Sequence, residues 1–247
     1  MEIGSFIELQ FSKGKEFYHQ LTDIARLNTG RAAIWHAFRV TGCKAIWIPY
    51  YQCETVREML LKYGAEVKYY HINNNLNPVD LNPEDNEAVL FVNYYGVMSH
   101  NRMVDLASKS KNSIIDNCQA FFNAPIADAM NVYSCRKFVG VPDGAYVIGK
   151  DAHIFVGEYS QCYSSDTAAF LLMRIEYGCE GKSYEARSMN ERRIDAEPIM
   201  KMSKLTRTIL DGTDYEFIKR RRRENFRFAH DLFGNKSNLS KIVYIMI

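Results

Sequence analysis

The chain has no apolar run long enough to cross a bilayer. Its longest, such as Ala88 to Val92 and Ala169 to Met173, fall far short of the roughly 20 residues that a membrane helix needs. A helical transmembrane protein is excluded. Net charge is also nearly absent: 31 basic residues stand against 29 acidic ones, for a formal +2. Nothing in that balance calls for nucleic acid or an anionic membrane as a partner. The six cysteines (43, 53, 118, 135, 162 and 179) include no C-x-x-C pair, which fits neither a zinc ribbon nor a dense disulfide framework, and no metal site is expected. The N-terminal stretch carries Glu2 and Glu8 and no continuous apolar segment, so an export signal is not expected and a reducing cytoplasm is the expected location. The sequons at Asn235 and Asn238 are short patterns that carry little weight without a leader. Repeats and low-complexity stretches are lacking. The one charge run, Lys219 to Arg223, is flanked by Glu216 and Glu224 and reads as a solvated helix face.

What is present is a chain of 247 residues, 47% apolar and 13% aromatic, enough to bury a sizeable core as one large domain or two small ones. Residues 45 to 116 alternate short apolar runs with helix-period segments, the pattern of βαβ units and a mostly parallel sheet. Strands are expected at Ala45 to Ile48, Val67 to Tyr70, Ala88 to Val92 and Ser113 to Ile115, the last ending in Asp116. Between the first two, Val56, Met59, Leu60 and Tyr63 fall on one helical face that Gly64 ends. Met103, Leu106 and Ala107 mark a further helix. Val132-Tyr133 and Ala145 to Ile148 read as a hairpin or as two neighbouring strands, so the sheet holds at least six strands. Helices are expected over Thr167 to Tyr177 and over most of 199 to 233. The fold class is α/β, a mostly parallel sheet flanked by helices.

In open α/β sheets ligands bind beyond the carboxyl ends of the strands, and four polar places follow apolar runs. Thr29-Gly30 precedes a helix beginning near Arg31, which leaves N–H groups and the helix dipole available to a phosphate, although Thr-Gly is also an ordinary helix start. Asp116 ends a buried strand, with Gln119 three residues on. It is either a cap for the next segment or a carboxylate that meets a protonated ring nitrogen of a bound cofactor. Lys137 follows a short strand with Ser134 and Arg136 beside it. Such a lysine is ordinarily a solvated charge, but a partly buried one next to a cationic arginine favours the free amine that Schiff-base formation needs. Tyr50, Tyr51 and Cys53 stand at another strand end, either as exposed loop residues or as the border of a flat ring.

Taken in order, N-T-G-R-A-A-I, P-Y-Y-Q-C-E-T-V with a following Y-G-A-E-V, N-Y-Y-G, I-I-D-N-C-Q-A-F and S-C-R-K-F-V-G-V-P-D-G-A resemble the DegT/DnrJ-type sugar aminotransferases. These are pyridoxal-phosphate (PLP) enzymes of the aspartate aminotransferase fold type, fold type I. The resemblance covers about residues 24 to 233, including R-R-R-x-N at Arg221 to Asn225. It implies the following roles. Lys137 carries PLP as a Schiff base and shuttles the proton, and Asp116 keeps the pyridine nitrogen protonated. Gln119 lies near the ring's phenolic oxygen. Ser134 and the amides around Thr29, Gly30 and Arg31 hold the phosphate, and Cys53 borders the ring. The reaction implied moves an amino group, usually from glutamate, to a keto-sugar carried on a nucleotide diphosphate, as in surface polysaccharide synthesis, within a homodimer.

The sequence also departs from the pattern. Many members place an aromatic residue where this chain has Cys53, which Tyr50 or Tyr51 would replace. The serine-to-lysine spacing is shorter than in many members, and the partner-donated asparagine is not recognisable in PIMKMSKL, where Lys201 would be the substitute phosphate contact. Residues 1–233 are expected to form the PLP-binding large domain and 234–247 to be the start of a missing small domain. The alternative is a truncated or degenerate PLP-binding homologue with little or no activity.

Overall fold

A computed structural model describes residues 7–233; the tail 234–247, and with it the expected start of a second domain and both sequons, lies outside the described residues. Seven strands form one sheet in the order β1-β7-β6-β5-β4-β2-β3: β1 Ile24–Leu27, β2 Ala45–Pro49, β3 Glu66–Tyr70, β4 Glu87–Val92, β5 Asn112–Asp116, β6 Met130–Ser134 and β7 Ala145–Ile148. The β2, β3, β4, β5 and β6 neighbours pair in parallel, whereas β7 is antiparallel to both β6 and β1. β7 therefore runs against all the others. The carboxyl ends of the remaining strands gather on one edge of the sheet, and the loops after β1, β2, β4, β5 and β6 meet there.

The sequence explains each element. β4 is buried at all six positions, as a central strand covered on both faces must be. Its continuous apolar run at 88–92 was legible for that reason. The last two strands, β6 and β7, are the expected neighbouring pair, with Tyr133 opposite Tyr146. Helix α1, Gly30–Thr41, starts at Thr29, whose hydroxyl accepts from the Ala32 N–H at 3.1 Å, and stops at Gly42 in the left-handed region at φ 72°. Ala32, Ala33 and Ala37 are small enough to let α1 lie close against β6 and β7. α2, Glu54–Lys62, buries the predicted Val56, Met59 and Leu60; α3, His100–Ala107, buries Met103, Leu106 and Ala107.

The opposite flank is aromatic. Tyr18, Phe121, Tyr133, Tyr146 and Tyr215 form a core under α6, Lys204–Asp211, and α7, Tyr215–Phe233. The charge run on α7 is not simply solvated: Lys219 lies 4.8 Å from the Phe17 ring centroid and Arg222 lies 4.2 Å from that of Phe138, so two of its cations roof this core through their stems. Helicity after residue 165 is also divided differently from the sequence expectation. α4, Ala169–Tyr177, is followed by an unexpected α5, Lys182–Ala196, and residues 199–203 are not helical before α6 begins. Among the described residues, no helix is long and apolar enough to cross a membrane.

A buried carboxylate ties these layers together. Asp143, fully buried, accepts from the Ser203 N–H at 3.0 Å, the Ser203 hydroxyl at 2.6 Å and the Thr206 hydroxyl at 2.9 Å, and also from the Ser164 hydroxyl. Four neutral donors thus compensate one desolvated charge, fixing the turn before β7 to the first turn of α6.

Candidate active site

At the carboxyl edge lies a cavity of about 560 Å³ whose lining includes Thr29, Gly30, Arg31, Cys53, Asp116, Gln119, Ser134 and Lys137. All eight site residues expected from the sequence therefore face one space, although they come from four different loops, those after β1, β2, β5 and β6.

Asp116 is buried at 7% exposure. One of its oxygens accepts from the Cys118 N–H at 2.9 Å and the other from the Gln52 side-chain amide at 3.1 Å. Both partners are neutral, and among the described residues no cation pairs with it. Its charge is felt nearby: burial first, and the Asp116 carboxylate second, push the Tyr94 hydroxyl well above its ordinary value. Burial first and Asp116 second do the same to the Cys118 thiol. Gln52 is held in turn, because its carbonyl oxygen accepts from the Cys53 N–H at 2.7 Å. Sequence reasoning did not single out Gln52, although it stands inside the quoted Y-Y-Q-C segment.

The first turn of α1 forms another wall. The N–H groups of Gly30 and Arg31 precede any intrahelical acceptor. A Cβ on Gly30 would come within 2.9 Å of Cys118 Sγ, so glycine lets this turn lie close against Cys118. The Arg31 side chain does not point into the space as a free cation. It donates to Asp195 at 2.7 Å and to the Ile194 carbonyl, both on α5.

Lys137 differs from expectation. The short 3-10 turn Cys135–Lys137 buries Cys135 and leaves Lys137 exposed on the cavity wall rather than partly buried. Arg136, expected to lean on it electrostatically, is paired with Glu191 of α5, so its charge is already balanced.

The aromatic border is made by Tyr51 and Tyr95, whose hydroxyls meet at 2.7 Å, with Tyr51 stacked on Tyr94. Tyr50 turns the other way, stacking on Tyr69 and His71, and leaves the site. Tyr95 adopts φ 56° without being glycine. Its N–H donates to the Gln119 side-chain oxygen at 2.9 Å, so Gln119 helps to hold a strained backbone as well as lining the cavity. Cys53 is exposed, with its thiol 3.2 Å from the Thr55 hydroxyl. Lys201 is bridged to Leu27 and Gln161 through its backbone and does not line the cavity. Among the described residues no cluster of His, Cys, Asp or Glu is arranged to hold a metal.

No protein-family model matches the sequence, and no curated protein matches it. Solved structures do. The sugar aminotransferase CalS13 from Micromonospora echinospora is similar with a TM-score of 0.56 at 15% identity, over 87% of this chain and 62% of that one. AtS13 from Actinomadura melliaura gives 0.52 at 14% identity, over 85% and 60%. The histidinol-phosphate aminotransferase from Clostridium acetobutylicum gives 0.51 at 12% identity, over 87% and 64%. The fold is therefore the α/β fold that these aminotransferases share. The chain spans about three fifths of their length.

Proposed function

We propose that the chain is a PLP-dependent aminotransferase that moves an amino group from an amino acid such as glutamate to a keto-sugar nucleotide. It would belong with the DegT/DnrJ-type enzymes and serve amino-sugar or surface polysaccharide synthesis in the cytoplasm. The observation that carries this reading is Asp116, a buried carboxylate that no cation pairs with among the described residues, on the same cavity as the amine of Lys137. Two neutral donors offset only part of the cost of burying that charge, and a protonated pyridine ring would offset the rest.

The residues present fit the cofactor. Asp116 would hold the ring nitrogen, Lys137 the aldehyde carbon, and Ser134 with the Thr29, Gly30 and Arg31 turn the phosphate. When bound, PLP supplies an electron sink for the carbanion formed when the substrate carbon loses its proton. The chain's own work is the remainder. Gln52 and the Cys118 N–H fix the Asp116 carboxylate, the Lys137 amine would take and return the proton, and Tyr51 would supply the aromatic face that Cys53 does not. A homodimer is part of the proposal. Its support is α4, which buries no residue and leaves Leu172 and Ile175 exposed.

The second reading, a PLP-binding homologue with little activity, is favoured by the exposure of Lys137 and by the cysteine at 53. Absorbance of the protein with added PLP, followed by borohydride and mass spectrometry, tests both. A reduced adduct on Lys137 that is lost in Lys137→Ala supports the cofactor site, and turnover with glutamate then decides between the readings. An unmodified Lys137 in folded protein removes both.

A further inference from the structure

A second cavity of about 330 Å³ lies between the α4–α5 hairpin and the segment that follows Lys137. Its floor is apolar, made by Val139 and Val141, both buried, with Phe170 and Leu171. Its rim is cationic: Arg136, Arg174 and Arg187 face it, against the single carboxylate of Glu191. That carboxylate is already paired with Arg136. Arg174 and Arg187 are exposed and, like the exposed Arg192, Arg220, Arg223 and Arg227, have no acidic partner among the described residues; what sets these two apart is that they line one cavity. Arg136 and Glu191 line this cavity and the Lys137 cavity alike.

We propose that this second cavity binds an organic phosphate or diphosphate ester, its anionic head on Arg174 and Arg187 and its apolar body on Val139, Val141 and Phe170. Two guanidinium forks without carboxylates match phosphate oxygens bidentately, and an apolar floor with a few convergent polar groups is how small-ligand sites are built. Glu191 sets the threshold. It neutralises Arg136 and sets a negative charge on the rim that an anionic head bound at Arg174 and Arg187 must tolerate. The proposal rests on the aminotransferase reading only in taking the adjoining cavity to be the cofactor site.

Calorimetric titration of the full chain, saturated with PLP, tests it with inorganic pyrophosphate, inorganic phosphate and phenyl phosphate. One pyrophosphate should bind. The double variant Arg174→Gln/Arg187→Gln should bind it about tenfold or more weakly, as expected for losing charge-assisted contacts, with its PLP absorbance unchanged. Glu191→Gln should bind pyrophosphate several-fold more tightly, a gain that misfolding cannot produce. Phenyl phosphate should bind more tightly than inorganic phosphate because of the floor. Pyrophosphate binding that is absent, that disappears on PLP saturation or that survives in the double variant overturns the site, and equal affinity for the two monophosphates overturns the organic ligand class. If PLP itself fails to bind, the aminotransferase reading falls. Pyrophosphate binding that still depends on Arg174 and Arg187 would leave this proposal standing.

Discussion

Arg31 at the first turn of α1 and Asp195 near the end of α5 meet at 2.7 Å beside the Lys137 cavity. The two ends of the pair are unequal: the Arg31 side chain is only 8% exposed, while that of Asp195 is 54% exposed. Asp195→Asn should therefore cost about 1 kcal/mol or less, as half-solvated pairs do. Arg31→Ala should cost more, about 2 kcal/mol, because it also removes a buried stem and the donor to the Ile194 carbonyl. Urea denaturation of the two variants checks the order, and a larger loss in the Asp195 variant would contradict it.

Asp116→Asn should weaken PLP binding and suppress half-transamination with glutamate. It also carries a readout that needs no cofactor. Burial of the Tyr94 hydroxyl remains in the variant but the neighbouring charge does not, so Tyr94 should titrate at a lower pH than in the parent. Ultraviolet titration of the tyrosines, compared with a Tyr94→Phe control, measures this shift.

Glu87 gives a pH dependence. Burial alone would raise its carboxyl, but the Lys68 ion pair, the Trp47 indole N–H at 2.7 Å and the Glu84 N–H at 3.0 Å outweigh burial and hold it at about 2, against an ordinary 4.5. A depressed acid contributes stability that is fully present above its unfolded value and is lost as pH falls through its folded one. The contribution should persist above pH 4.5 and fade between 4.5 and about 2. Acid denaturation of Glu87→Gln should lack that portion of the slope, and the variant should be less stable at neutral pH.

Asp143→Ala should be the most damaging of these changes. It strands the hydroxyls of Ser164, Ser203 and Thr206 in a dry interior, at a cost of about 3 kcal/mol or more. Asp143→Asn keeps one acceptor oxygen and should lose less. Thermal melts of both rank them.

How much of this was legible depended on whether a residue's environment is set by its neighbours in the chain or by remote ones. Asp116 could be read because a carboxylate that ends a continuous apolar strand has few places to go. β4 and α2 could be read because their apolar spacing repeats. β1 could not: its four residues, IARL, are too few to show a period. Nor could α5, whose buried residues are Ser183, Asn190 and Ile194, which leave no apolar stripe. The carboxylates it supplies to Arg31 and Arg136 were invisible for the same reason. Lys137 lines the cavity, but its exposure is decided by the turn that buries Cys135, and the sequence does not print that turn's direction.

The close approach of Gly30 to Cys118 also bears on how such a chain can change over time. A side chain at position 30 would overlap Cys118 Sγ, whose own surroundings are buried, so position 30 is not free to drift while a cysteine stands at 118. Gly30→Ala in the parent should be poorly tolerated, whereas the same change made together with Cys118→Gly should recover much of the loss. The two positions, 88 residues apart in the sequence by their numbering, would then accept substitutions as a linked pair. The order in which such mutations arise would matter, with the smaller residue at 118 having to come first.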